Sequence, residues 1–106
     1  MTASAAIATG FITLAPLAGH AAVPEGEKLF QTHDCSTCHA IDTKIVGPAY
    51  VDVAKKYAGK PGAVEMLVKA VKDGHVGTWG MVPMPAHPNM PVSQIKTIVE
   101  WILTLK

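Results

Sequence analysis

The feature that constrains this chain most is a single Cys-x-x-Cys-His motif, Cys35-Ser36-Thr37-Cys38-His39. Two thiols and an imidazole at this spacing are what covalent attachment of a c-type haem requires. Each thiol can add to one vinyl group of the porphyrin, and the two residues between them match the separation of those vinyls on one helical turn. His39 then lies under the macrocycle, where one ring nitrogen can reach the iron. The motif predicts two thioether bonds and a proximal ligand.

Other uses of the same five residues are less compatible with the rest of the chain. A structural zinc site needs four ligands, usually with a second Cys or His pair, and this chain has two cysteines in all. A thioredoxin-like redox pair expects a strand before the motif, whereas residues 25–34 read as a polar helix. A plain disulfide in an oxidising compartment stays open as an alternative, yet it would give His39 no task.

The N-terminal segment 1–22 has no charged side chain, an apolar centre and small residues at its end. This pattern is typical of a secretory signal peptide, here cleaved near Ala21 or Ala22. Gly10 and Pro16 interrupt the apolar stretch, and neither Lys nor Arg precedes it. An uncleaved membrane anchor is the alternative, although the stretch is barely long enough to span a bilayer. We expect cleavage, a single domain over residues 23–106 and a periplasmic mature protein without stable membrane insertion.

A domain of this size is close to the limit at which an apolar core alone gives stability. A buried porphyrin would supply much of the missing apolar surface, so we expect the haem-free protein to be largely unfolded. The nine basic and eight acidic residues leave a formal net charge of +1. A nearly neutral polypeptide gives no indication of nucleic acid or a membrane surface as partner.

The remaining pattern is helical throughout, which predicts an all-α fold. A first helix opens at Pro24 and Glu25, with acidic residues in the first turn, and buries Leu29 and Phe30. Further helices are predicted over residues 50–57 and 63–73, ended by Gly59 and Gly74.

A last helix is predicted with Ser93 as its N-cap. One face of it carries an apolar stripe, formed by Ile95, Ile98, Val99, Ile102 and Leu105. Between the third and last helices, four of the eight prolines fall in residues 83–91. Neither a helix nor a strand can run through that segment.

His39 leaves the sixth position of the iron open. Whichever group fills that position decides whether the haem transfers electrons or reacts with a small molecule. Met84 is the favoured candidate, because Pro83 and Pro85 restrict its backbone and leave a stiff loop that can hold a thioether in place. Core packing is the usual role of an isolated methionine. The other candidates are Met81 and Met90 in the same loop, Met66 inside the third helix, His75 and His87.

Several motifs in order make the chain resemble the small bacterial class I cytochromes c of the cytochrome c-551 type. They are the haem motif, Gly47-Pro48-Ala49-Tyr50 and Trp79-Gly80-Met81-Val82-Pro83-Met84-Pro85. The likeness also includes residues 52–59 and the ending Trp101-Ile102-Leu103, so that it covers essentially all of residues 23–106.

The resemblance implies four or five helices around one covalently bound haem c, with His39 and Met84 ligating the iron. It implies that the Pro48 carbonyl accepts a hydrogen bond from the other ring nitrogen of His39, and that Trp79 donates its indole N–H to a haem propionate. An ordinary core position is the alternative for Trp79. The pairing of first and last helices in the family suggests that Leu29 or Phe30 packs near Trp101.

The function implied by the resemblance is that of a soluble, monomeric, non-enzymatic electron carrier in a periplasmic respiratory chain. Its partners would be a periplasmic reductase or oxidase and a cytochrome donor. We expect an apolar contact patch from Val46, Met81, Val82 and Pro85, with Lys44, Lys55 and Lys56 at its rim. The rival functions are a sensing or catalytic haem protein with an open sixth position, and a haem subunit docked permanently to an enzyme.

Two departures from the family pattern concern the haem environment. Related proteins often place a basic residue on the third helix near a propionate, and the matching position here is Ala70. The loop after Met84 is about three residues longer than usual, through Ala86-His87-Pro88-Asn89-Met90-Pro91, and Asn89 is expected to bond to the ligand region. We expect His33, two residues before Cys35, to be exposed on the surface.

Overall fold

The computed structural model describes residues 2–10 and 22–106. Five helices lie in this part of the chain: α1 Glu25–Thr32, α2 Cys35–Cys38, α3 Tyr50–Tyr57, α4 Ala63–Asp73 and α5 Val92–Ile102. The described residues contain two isolated β-bridges and otherwise no strand, so the all-α prediction is confirmed. The predicted signal peptide is described only in part, since Met1 and residues 11–21 lie outside the described residues. Across 2–10 and 22–106, no helix combines the length and the apolar character needed to cross a membrane.

The core is built on α5, whose apolar stripe faces the other helices. Ile95 and Val99 are 0% and 1% exposed, and Ile98 and Ile102 are also buried. Leu105 lies beyond the end of the helix and is half-buried against the same core. Half-buried apolar side chains of α4 pack against this core at the predicted spacing, namely Val64, Leu67, Val68 and Val71.

Helix α1 crosses α5 at Gly26, where the two backbones approach closely. A Cβ atom at Gly26 would lie 2.8 Å from the Thr97 carbonyl oxygen and would also overlap the Trp101 side chain. One turn later, Phe30 is buried with its ring centroid 5.7 Å from that of Trp101, which confirms the expected pairing. Tyr50 completes the cluster at 5.2 Å from Phe30 and 5.8 Å from Trp101. These aromatic contacts connect α1, α3 and α5.

The observed bounds of α3 and α4 are those that the sequence predicts. The predicted cap of the last helix is wrong, because α5 begins at Val92 with Pro91 as its N-cap residue and no side-chain cap. Ser93 lies inside the first turn, where its carbonyl accepts a hydrogen bond from the Thr97 hydroxyl at 2.9 Å. The proline ring fixes φ of Pro91, here at −58°, close to the φ of the helix that follows.

The segment 74–91 joins α4 to α5 without a helix or strand of its own. Gly74, Gly77 and Gly80 have φ of 84°, 105° and 120°, values that side chains with a Cβ rarely adopt. Together with the prolines, these glycines keep the segment extended and prevent it from forming a helix.

Candidate functional site

A cavity of about 570 Å³ lies between this segment, the haem motif and the apolar faces of α4 and α5. The described structure brings all six residues predicted to hold the haem to its lining: Cys35, Cys38, His39, Pro48, Trp79 and Met84. Much of the remaining wall is apolar and comes from the helices, including Val53, Leu67, Val71, Ile95, Ile98 and Val99. Such a wall suits a large apolar ring system.

The two thiols lie one helical turn apart on α2, which the motif itself forms. Residues three positions apart share one face of a helix, and both Cys35 and Cys38 are free thiols that line the cavity. The helix ends at once: His39 has extended φ and ψ of −123° and 147°, while its N–H donates to the Cys35 carbonyl at 2.9 Å. This break places the imidazole at the cavity wall beside the thiols.

The His39 ring is fixed by a hydrogen bond and by close packing. Its Nδ1 donates to the Pro48 carbonyl oxygen at 2.8 Å, which leaves Nε2 as the nitrogen without a hydrogen-bond partner among the described residues. A carbonyl partner for one ring nitrogen sets the tautomer and raises the basicity of the other. The imidazole is 8% exposed and stacks on the Tyr50 ring with centroids 4.9 Å apart.

Gly47 leaves the space that the imidazole fills. A Cβ atom at this position would lie 2.8 Å from His39 Nδ1 and 2.9 Å from Nε2, and would also overlap Cε1. The Gly47 N–H donates to the Cys38 carbonyl at 2.8 Å, so the loop cannot retreat from the motif without losing that bond. The sequence motif indicated Gly47 and Pro48 together. In the structure Gly47 leaves room for the His39 ring, whereas the Pro48 carbonyl accepts its hydrogen bond.

The Cys35 thiol and the Tyr50 hydroxyl are neutral at pH 7. Burial raises the pKa of the Cys35 thiol, and a hydrogen bond with the Tyr50 hydroxyl opposes this effect without cancelling it. Burial also raises the pKa of Tyr50 far above its ordinary value, with the nearby Cys35 adding to the shift. This part of the cavity therefore presents no charge from either side chain.

Met84 reaches the cavity from the extended segment and is half-buried. Its N–H donates to the His75 carbonyl at 2.7 Å, and its own carbonyl accepts from the His75 N–H at 3.1 Å. Gly74 permits this pairing, because a Cβ there would lie 3.0 Å from the Met84 carbonyl oxygen. The backbone of Met84 is thus held by two hydrogen bonds as well as by the flanking prolines.

The other candidate ligands differ from Met84 in placement. Met81 and Met66 also line the cavity, but they are 86% and 48% exposed, and Met90 is buried in the helical core at 6%. The His75 side chain bonds to the Thr78 hydroxyl at 2.6 Å. His87 contributes to a second, smaller cavity rather than to this one.

Trp79 lines the cavity and is 39% exposed. The Lys56 ammonium lies 5.6 Å from the centroid of its ring, within the range of a cation–π contact. Ala70 also lines the cavity. Lys56, one of the lysines expected at the rim of the contact patch, therefore lies beside Trp79.

Two expectations about side chains near the site are wrong. His33 is half-buried rather than exposed, and its Nε2 donates to the Gln94 side-chain oxygen of α5 at 3.1 Å. Asn89 is exposed and its side chain makes no hydrogen bond within the described residues. The loop around Asn89 is instead held by Lys72 of α4, a contact for which the sequence pattern carried no signal.

Comparison with known proteins agrees with this geometry. The Cytochrome c family profile matches residues 23–106. The chain is 46% identical to cytochrome c-551 of Azotobacter vinelandii over 81 residues, covering 76% of this chain and 98% of that protein. It is 45% identical to cytochrome c-551 of Pseudomonas aeruginosa over 101 residues, covering 94% and 91% of the two chains. The crystal structure of Nitrosomonas europaea cytochrome c552 superposes with a TM-score of 0.73 at 42% identity, covering 76% and 99%.

Proposed function

Since the chain belongs to the cytochrome c family, we propose that it is a periplasmic one-electron carrier of a respiratory chain with His/Met ligation. In this proposal Cys35 and Cys38 form the thioether bonds to the single haem c of the family, and His39 and Met84 ligate its iron. The observation that carries the proposal is the convergence of these four side chains on one largely apolar cavity.

The residues present fit the haem in three respects. The cavity is bounded by apolar helix faces, the thiols are free and adjacent, and His39 offers one nitrogen while the other is bonded to Pro48. The haem iron supplies the one-electron change between ferric and ferrous states, and a thioether ligand raises the potential at which this occurs.

The protein's contribution to electron transfer is to keep its own groups in place. His39 is fixed by the Pro48 carbonyl and the Tyr50 ring, and Met84 is fixed by the His75 backbone. Apolar side chains from α4 and α5 line the site and would exclude water from a haem bound there. A site held in this way needs little rearrangement when its charge changes, which favours rapid electron exchange.

We infer that redox partners dock where apolar side chains are exposed at the rim of the cavity. Val46, Met81 and Val82 are 50%, 86% and 65% exposed, and all of them line the cavity. A periplasmic reductase or oxidase and a cytochrome donor are the proposed partners. An uncharged segment before residue 23 supports export of the chain by a cleaved signal peptide.

The visible spectrum of the ferric protein tests the ligand assignment. Sulfur ligation of ferric haem gives a weak absorption band at the red end of the visible spectrum, called the red-edge band below. We expect this band in the unaltered protein and its loss in Met84→Ala. Met81→Ala is the matched control, because it removes a methionine from the same segment at a position that is 86% exposed. It should keep the band.

The opposite outcome would assign the protein to another class. If the unaltered ferric protein lacks the band, and its ferrous form binds carbon monoxide readily, the sixth position is open. The chain would then be a gas-binding or peroxide-binding haem protein rather than an electron carrier. If the band is present and Met84→Ala retains it while Met81→Ala loses it, the ligand is Met81.

A further inference from the structure

The stretch that carries Met84 is held at two places, at the methionine itself and after it. The attachment at Met84 is the pair of backbone hydrogen bonds with His75, two residues beyond the end of α4. The attachment after it lies at residues 87–90, where Lys72 reaches across from the last turn of α4. Its ammonium donates to the Pro88 carbonyl at 2.7 Å and to the Met90 carbonyl at 2.9 Å.

The same place also completes the end of α4. The last carbonyls of a helix have no partner within it, and here the His87 N–H donates to the Val71 and Lys72 carbonyls at 3.0 and 3.2 Å. Lys72 itself is half-buried, and a cation in the last turn is favoured by the helix dipole. The two bonds from its ammonium are charge-assisted, which makes them stronger than neutral hydrogen bonds.

The loop beyond Met84 has few other attachments of this kind. Its side chains at Pro85, Ala86, Pro88 and Asn89 are exposed, and Met90 is the first residue after Met84 that is buried in the core. The Lys72 ammonium therefore holds two carbonyls of a stretch that would otherwise be anchored by His87 and Met90.

We propose that Lys72 is a positioning residue for Met84: by clamping the Pro88 and Met90 carbonyls to α4, it holds the thioether at the iron. The proposal rests on the proposed function, in which Met84 is the ligand. A thioether is a weak ligand, so its occupancy of the iron depends on how rigidly the chain presents it. Without the clamp, Met84 keeps the His75 bridge, while its C-terminal side is restrained only by the His87 N–H bonds to α4 and by the buried Met90.

The test compares Lys72→Leu with Lys96→Leu in the haem-loaded ferric protein. Both variants remove one lysine charge from a helix, and Lys96 makes only a surface ion pair, 3.8 Å from Glu100. Added imidazole competes with Met84 for the iron, and its apparent affinity is read from the loss of the red-edge band. Lys72→Leu should bind imidazole about tenfold more tightly than the unaltered protein, equivalent to about 1.4 kcal/mol, while Lys96→Leu should be unchanged.

Two further measurements separate positioning from general stability. Lys72→Arg keeps a cation that can donate to both carbonyls, and it should restore the imidazole affinity to within about twofold of the unaltered protein. The NMR shift of the Met84 methyl group should move in Lys72→Leu and not in Lys96→Leu. Equal imidazole affinity in the two Leu variants would overturn the positioning role, as would a Lys72→Leu methyl shift identical to that of the unaltered protein. If the band is absent from the unaltered protein, the ligand assignment has failed rather than the clamp alone.

Discussion

The close contact between Gly47 and His39, the proposed iron ligand, gives the sharpest prediction of this structure. In Gly47→Ala the new methyl group would lie 2.8 Å from His39 Nδ1 and 2.9 Å from Nε2, and would overlap Cε1. These separations are too short for any carbon atom, so either the imidazole or the 45–48 loop has to move. Either movement strains or breaks the 2.8 Å hydrogen bond between His39 and the Pro48 carbonyl.

The magnitude follows from the two effects. Overpacking a tight site costs about 1 to 3 kcal/mol, and the net loss of one hydrogen bond costs about 0.5 to 1.5 kcal/mol. Their sum is a loss of about 1.5 to 4.5 kcal/mol in the free energy of unfolding of the haem-loaded protein. For a domain of this size, that corresponds to a fall in Tm of roughly 6 to 36 °C. The reduction potential should rise, because an imidazole without its carbonyl partner is a weaker donor to ferric iron.

Guanidinium unfolding and redox titration of Gly47→Ala measure both quantities. Gly62→Ala is the control, since φ at Gly62 is 77° and a Cβ there meets nothing within 4 Å. That variant should lose about 1 to 2 kcal/mol from backbone strain alone, with an unchanged potential. A loss of less than about 0.5 kcal/mol in Gly47→Ala, or a reduction potential equal to that of Gly62→Ala, would contradict the expected clash with His39.

Two predictions concern the fold rather than the ligands. In Gly26→Ala the added Cβ would overlap Trp101 and lie 2.8 Å from the Thr97 carbonyl, so we expect a loss of about 1 to 3 kcal/mol in unfolding free energy. Its red-edge band should stay intact, and loss of the band at full stability would contradict this. Protein produced without haem should lack a cooperative thermal transition in circular dichroism, because so small a domain depends on the porphyrin for its apolar core. A sharp haem-free transition would show that the helices suffice.

The haem motif and the helical periodicity carried most of what could be predicted. Cys-x-x-Cys-His restricts the chemistry because few other uses fit two thiols and an adjacent imidazole. The bounds of α3 and α4 followed from local signals, namely the apolar spacing and the glycines that end each helix. The start of α5 did not, because the Pro91 carbonyl already accepts hydrogen bonds from the Gln94 and Ile95 N–H groups, so that the helix begins at Val92, before Ser93.

The amino-acid sequence by itself determined the covalent chemistry, the helical class and the family, since each depends on residue types at short, fixed spacings. Only the tertiary structure decided which residues hold the proposed ligands in place. Gly47 and Gly74 are needed because another part of the chain approaches each of them, and Lys72 matters because residues 88 and 90 fold back onto α4. Such contacts join residues far apart in the chain, and no local pattern encodes the distance between them.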